Sequence, residues 1–202
     1  IRDHWMPAYA RIAEDYVGRL PRGEVVDLFP ALAGPVSARC LAVLLGMESA
    51  TDAEMQHWSQ ALIDGAGNFG WKPEIFAVVD AAHDAMNATI AREAERLRAA
   101  PDASVLSVMA NAEDPIEWEQ VQANIKIAIG GGINEPRDAL LTAVHGLLSN
   151  PAQRDAALAG DVPWAQVFEE AVRWVAPIQA SSRRATRDTE IRGVAVETGE
   201  VV

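Results

Sequence analysis

Ile127-Ala-Ile-Gly130-Gly131-Gly132-Ile-Asn134-Glu135-Pro136-Arg-Asp138 lies in the middle of the longest helical pattern in the chain, from Glu117 to about Leu148. Three consecutive glycines inside a helix cost on the order of 1 kcal/mol each relative to Ala. Pro136 adds about 3 kcal/mol and removes the amide that would bond the Gly132 carbonyl. A helix carrying these residues is expected to be locally bent, with a free carbonyl and a bare backbone face. Bare glycine backbone admits a flat or bulky ligand. Asn134 and Glu135 set an amide and a carboxylate beside the freed carbonyl, where a water can be held. The glycines alone read equally well as a close crossing of two helices. The adjoining polar pair and Pro136 favour a ligand site built into the helix. The run is not a phosphate loop, because it lacks the Gly-Lys-Ser/Thr ending and sits inside a helix.

The rest of the chain is mostly helical in pattern. Trp5, Tyr9, Ile12, Tyr16 and Leu20 recur at helical steps, and Pro21-Arg22-Gly23 stops them. Pro35 opens a second helix that Gly46 ends. Thr51-Asp52 caps a third through Ile63, before a flexible loop with Gly65, Gly67 and Gly70. A long Ala-rich helix follows from Pro73 to Ala100, and a short one from Ser104 to Ala110. Asp114-Pro115 is expected to start the Glu117–Leu148 helix, which Asn150-Pro151 closes. Further helices run from Pro151 to about Ala159 and from Pro163 through Val175. After Pro177, Thr189, Ile191, Val194 and Val196 with the intervening Gly193 read as short strands in a hairpin. The expectation is one mainly α domain over 1–202, helical through 176, with a small β region over 177–202.

Composition removes several classes of function. The chain has 202 residues, with 17 Lys and Arg against 29 Asp and Glu, a net charge of −12. That balance argues against nucleic acid and against an anionic membrane surface. One cysteine, Cys40, excludes an internal disulfide or a Cys-rich zinc module. No apolar run reaches the roughly 18 residues that span a bilayer, and the N-terminus lacks a signal-peptide pattern. A cytoplasmic setting is expected. His4, His57, His83 and His145 are isolated, without HExxH spacing, and no Gly-x-Ser-x-Gly elbow is present. The chain starts at Ile1 and stops at Gly199-Glu-Val-Val, which reads like mid-strand, so a piece of a longer protein is expected.

Two further motifs carry chemistry. Glu170 and Arg173 are three apart on one helix and share a face, so they can pair; a solvated surface pair fits the spacing equally. Pro177-Ile-Gln-Ala-Ser-Ser-Arg183-Arg184 is an extended run of small side chains ending in guanidinium groups that suit a carboxylate or phosphate. An ordinary loop with exposed arginines is the alternative.

Taken in order, these motifs resemble the cytochrome P450 family of haem-thiolate monooxygenases. The pattern is Gly-Gly-x-Asn-Glu-Pro-Arg-Asp, then Glu-x-x-Arg, then Trp-x-x-Pro with Arg183 downstream, then Ile191-Arg-Gly193-Val. The resemblance extends from Trp5 and the Pro35–Gly46 helix to the last residues, and corresponds to the central portion of a bacterial member. It implies a cytochrome P450 fold, incomplete here, and a cofactor of haem b (iron protoporphyrin IX). Electrons would come ultimately from NAD(P)H through a ferredoxin or flavin reductase. The activity implied is oxidation of a small organic substrate, by hydroxylation or O-dealkylation. Ile127, Gly130 and Gly131 would lie along the haem, and Arg183 would meet a propionate, with Arg184 the weaker candidate. Glu170 and Arg173 would form a buried structural ion pair. Phe69, Ile178, Gln179, Ala180 and Ser181 would border the substrate, with Leu62 and Ile63 nearby.

Two departures from the family pattern stand out. Where most members have an acid followed by Thr, this chain has Asn134 and Glu135, followed by Pro136. An Asn amide cannot shuttle a proton, whereas Glu135 can, so these two are the candidate catalytic residues. Similar amide-Glu-Pro variants occur in a bacterial subset that includes aromatic O-demethylases, which points to a compact, aromatic-type substrate; peroxide-driven chemistry is the alternative. The second departure is that the Cys loop that ligates haem iron is absent, and Cys40, in an apolar helix, does not replace it. The competing reading is a non-catalytic helical ligand-binding domain, or a degenerate relative without haem.

Overall fold

The structure is a computed structural model and describes residues 3–202. Nine helices and one hairpin are present among the described residues: α1 (Trp5–Gly18), α2 (Gly34–Leu45), α3 (Asp52–Ala66), α4 (Pro73–Ala99), α5 (Val105–Ala110), α6 (Trp118–Gly132), α7 (Asn134–Ser149), α8 (Pro151–Ala159), α9 (Trp164–Trp174), β1 (Thr189–Ile191) and β2 (Val194–Val196). A short π-helix, Phe29–Ala33, leads into α2.

Local chemistry sets most of these boundaries. Thr51 closes a capping box at α3: its hydroxyl accepts from the Glu54 amide at 3.1 Å, and Glu54 accepts from the Thr51 amide at 2.8 Å. Gly46 ends α2 in the left-handed region, at φ 79°. The hairpin is antiparallel, with Ile191 opposite Val194. Both residues of its two-residue turn have positive φ, 50° at Arg192 and 82° at Gly193, as a tight twisted hairpin requires.

The core lies between α2, α3, α4, α5 and α6. Val121, Ile125 and Ile129 form the buried stripe of α6, continued by Ile133, and Ala82, Met86, Ile90 and Ala94 form that of α4. They meet Ala38, Ala42 and Leu45 of α2, Met55, Trp58 and Ala61 of α3, and Leu106 of α5. Each large aliphatic side chain so buried contributes about 1.5–3 kcal/mol. Helix α7 continues past the break and packs on α2, the π-helix, α8 and α9.

The sequence expectation of one bent helix over 117–148 is corrected. The chain breaks into α6 and α7 at Ile133, whose φ of −108° and ψ of −50° interrupt the helix. Pro136 becomes the third residue of α7, where the first turn leaves amides without intrahelical partners in any case. The break thus avoids most of the penalty of an interior proline. The longest helix is α4, with 27 residues. Helix α6 starts at Trp118, one residue after the expected Glu117, and α3 runs through Gly65, which shortens the expected loop.

Candidate ligand face at the α6–α7 break

The break is held by two serines from neighbouring helices. The Ser37 hydroxyl on α2 donates to the Ile133 carbonyl at 2.7 Å, and Ser59 on α3 donates to the Gly130 carbonyl at 3.4 Å. Ile133 also accepts from the Arg137 amide at 3.2 Å. The expected free carbonyl is that of Gly132; the serine hydroxyls instead hold the carbonyls on either side of it, at Gly130 and Ile133.

The three glycines do different work. A Cβ on Gly132 would meet both Leu41 methyls at 3.0 Å, so this residue serves a close contact with α2. A Cβ on Gly130 would lie 3.4 Å from Leu62 of α3, an ordinary contact. Gly131 is exposed, with nothing within 4 Å of the corresponding position. Ile127, one turn earlier, is 74% exposed, and Ala123 and Asn124, a further turn back, are exposed as well. Helix α6 thus buries one apolar face and leaves a second face open, with Ile127 as its one large apolar side chain. The glycines divide residue by residue: Gly132 serves a close helix crossing, and Gly131 leaves bare backbone.

Asn134 and Glu135 begin α7 at this face. Glu135 Oε2 is buried and has no hydrogen-bond partner. Asn134 Oδ1 accepts from Arg137 Nη1 at 2.8 Å.

The other expected site residues are spread out. Phe69 is 84% exposed in the loop between α3 and α4. That loop is less free than its glycines imply: the buried Asn68 amide bonds the Lys72 carbonyl and amide, each at 3.0 Å. Trp71, also in this loop and 78% exposed, was not singled out by sequence reasoning; its positive φ of 51° has no local signature. Leu62 is half-buried and Ile63 exposed. Ile178, Gln179, Ala180 and Ser181 lie in an exposed segment after α9. The Arg183 guanidinium bonds Ser181 Oγ and the Ser182 carbonyl, and Arg184 donates to the Gly199 carbonyl at 3.1 Å. Arg183 is engaged by its own loop and Arg184 by the segment after the hairpin.

Glu170 and Arg173 do pair, as a two-pronged fork with both bonds at 2.6 Å. The Arg173 hydrogen bonds hold the Glu170 carboxyl below its ordinary range. The expectation of a buried pair is corrected, since the side chains are 54% and 70% exposed. Helix α9 packs on α7 through another face. A cavity of about 610 Å³ opens between α7, α8 and α9, lined by Thr142, Gly146, Gln153, Val167, Glu170 and Trp174 among others. It includes none of the residues from Gly130 to Pro136.

The open α6 face suits one side of a flat apolar group such as haem, because Gly131 offers bare backbone with nothing over it. The described residues supply no iron ligand to match. Cys40 lies in α2, and burial pushes its thiol up to about 11, far from a thiolate at neutral pH. No cluster of three or more His, Cys, Asp or Glu able to hold a metal occurs among the described residues.

Comparison with known proteins bears on this arrangement. No family model matches the chain. It is 29% identical over 194 residues to linalool 8-monooxygenase of Pseudomonas putida, covering 94% of this chain and 47% of that protein. It is 28% identical to cytochrome P450-SOY of Streptomyces griseus, over 90% of this chain and 43% of that one. Among solved structures, CalO2 matches with a TM-score of 0.83 at 25% identity, over 96% of this chain and 49% of that chain. Ligand-free cytochrome P450 TbtJ1 matches with a TM-score of 0.83 at 23% identity, over 98% and 53%. The curated proteins that the chain matches are cytochrome P450s, and its fold is similar to about half of a cytochrome P450. It spans about half the length of the relatives it matches. No helix among the described residues is long and apolar enough to cross a membrane.

Proposed function

We propose that the chain is the central part of a bacterial, cytoplasmic haem-thiolate monooxygenase. The observation that carries this reading is the open α6 face at Ile127 and Gly131, set beside Asn134 and Glu135 in a chain with this fold. Haem b, bound with a thiolate ligand from outside these residues, would supply dioxygen activation. Ile127 and Gly131 would lie against it, and Gly130 would border it from the α3 side. NAD(P)H would supply electrons through a ferredoxin or flavin reductase. Arg183 would reach a propionate only by exchanging its loop partners for the anion.

The chain's own residues divide the remaining work. Glu135 has a buried, unpartnered carboxylate oxygen and is the group able to take or give a proton here. Asn134 cannot move a proton and serves as a hydrogen-bonding group. Phe69 and the Ile178–Ser181 segment would border the substrate. The relatives' names include linalool in one and a methyl-branched lipid in another. They support an organic substrate, hydroxylated or O-dealkylated, and the Asn134-Glu135-Pro136 run supports a compact, aromatic-type one.

The test of the proton role is Glu135→Gln in the loaded full-length protein. Dioxygen-dependent turnover should fall further than peroxide-driven turnover, since peroxide brings its own protons. Equal loss in both would contradict the assignment.

A further inference from the structure

Arg137 occupies an unfavourable place. It is the fourth residue of α7, in the first turn, where the helix dipole disfavours a cation. It is nevertheless fixed on three sides. Its guanidinium is 4.5 Å from the centroid of the Phe29 ring in the π-helix, a cation–π distance. Nε donates to Asp138 Oδ1 at 2.7 Å and Nη2 to Asp138 Oδ2 at 3.2 Å. Nη1 donates to Asn134 Oδ1 at 2.8 Å. The side chain is 12% exposed. Pairing with the next residue in sequence is uncommon on a helix, where neighbours diverge. The carboxylate therefore holds the guanidinium sideways, across the first turn and onto Asn134.

Guanidinium has donors and no acceptor. An amide facing it must present oxygen, so the Asn134 nitrogen points away from Arg137. We propose that Arg137 is a positioning residue that fixes the Asn134 amide, holding its oxygen on the guanidinium so that Asn134 turns its NH2 group, a hydrogen-bond donor, toward a ligand. The inference deepens the proposed function, on which its meaning for oxygen chemistry rests. At the break, Asn134 then takes an acceptor oxygen, of a water or of an oxygen-bearing ligand. Glu135, next in sequence, supplies the acceptor and the proton-bearing group. The amide and the carboxylate have separate, non-exchangeable tasks.

The test uses the full-length protein labelled with nitrogen-15 at asparagine. The side-chain NH2 pair of Asn134 is assigned by its loss in Asn134→Asp. A single pair is expected in the unmodified chain. Arg137→Met, which removes every donor, should replace it with two sets of signals or broaden it beyond detection. Arg137→Lys, which keeps a donor, and Phe29→Leu, which removes only the aromatic support, should retain one pair. An unmoved pair in Arg137→Met would overturn the proposal. So would equal disturbance in Phe29→Leu, because general loosening would then explain the effect. Should Arg137→Met fail to fold, the lysine variant decides, and loss of the single pair there overturns the proposal. The signal needs no haem, so the outcome is independent of whether the oxygenase reading holds.

Discussion

The Ser37 hydroxyl and the Ile133 carbonyl, 96 positions apart in sequence, meet at 2.7 Å at the one non-helical residue between α6 and α7. This bond fastens the break to α2. The carbonyl is buried and keeps only the Arg137 amide if the hydroxyl is removed. Ser37→Ala should therefore destabilise the chain by about 1 kcal/mol, read as a lower midpoint in urea with an unchanged slope. A changed slope would mean that the break itself had reorganised.

The glycines give a second prediction, because their surroundings differ. Gly131→Ala adds a methyl group in open space within a helix and should stabilise by about 0.5–1 kcal/mol. Gly132→Ala drives a methyl group to 3.0 Å from both Leu41 methyls, so the gain should be cancelled or reversed. Thermal unfolding of the two variants checks this. A stabilising exposed alanine that the protein does not use fits a residue kept bare for a ligand; equal effects at both positions would remove that distinction.

Glu93 gives a third, dependent on pH. Its side chain is 2% exposed and accepts from the Ser49 amide at 3.1 Å and from Arg96 Nε at 2.6 Å, joining the turn after α2 to α4. Burial pushes the carboxyl up, but the Ser49 and Arg96 hydrogen bonds outweigh it and hold it below its ordinary value. A depressed native pKa contributes stability above the unfolded value, about 4.3 for Glu. That stability is lost as pH falls through the native pKa. Glu93→Gln should cost about 1.5–3 kcal/mol near neutrality, and the gap between variant and parent should narrow below about pH 4. Thermal unfolding across that range reads it; a gap that stays constant would contradict the charge argument.

Much of the fold was legible because it is decided locally. Thr51 with Glu54, Gly46 after α2, and the Gly193 turn are short-range devices, and they set boundaries where the sequence placed them. Interruption near Gly130–Pro136 was legible too, from the penalties alone. Its position was not: Ile133 breaks because Ser37 and Ser59, far away in sequence, satisfy the exposed carbonyls there. The same limit hid the separate duties of Gly131 and Gly132, which depend on Leu41. Arg137 was passed over because its partners include Phe29 in a π-helix that no periodicity announces. Glu170 and Arg173 were readable as a pair from their spacing, but burial is a property of what packs over them.

The central claim concerns haem bound through a thiolate, and the reduced carbon monoxide difference spectrum of the full-length protein tests it most directly. A thiolate-type Soret band is expected. A full-length protein that takes up no haem, or that gives no thiolate-type band, would contradict that claim.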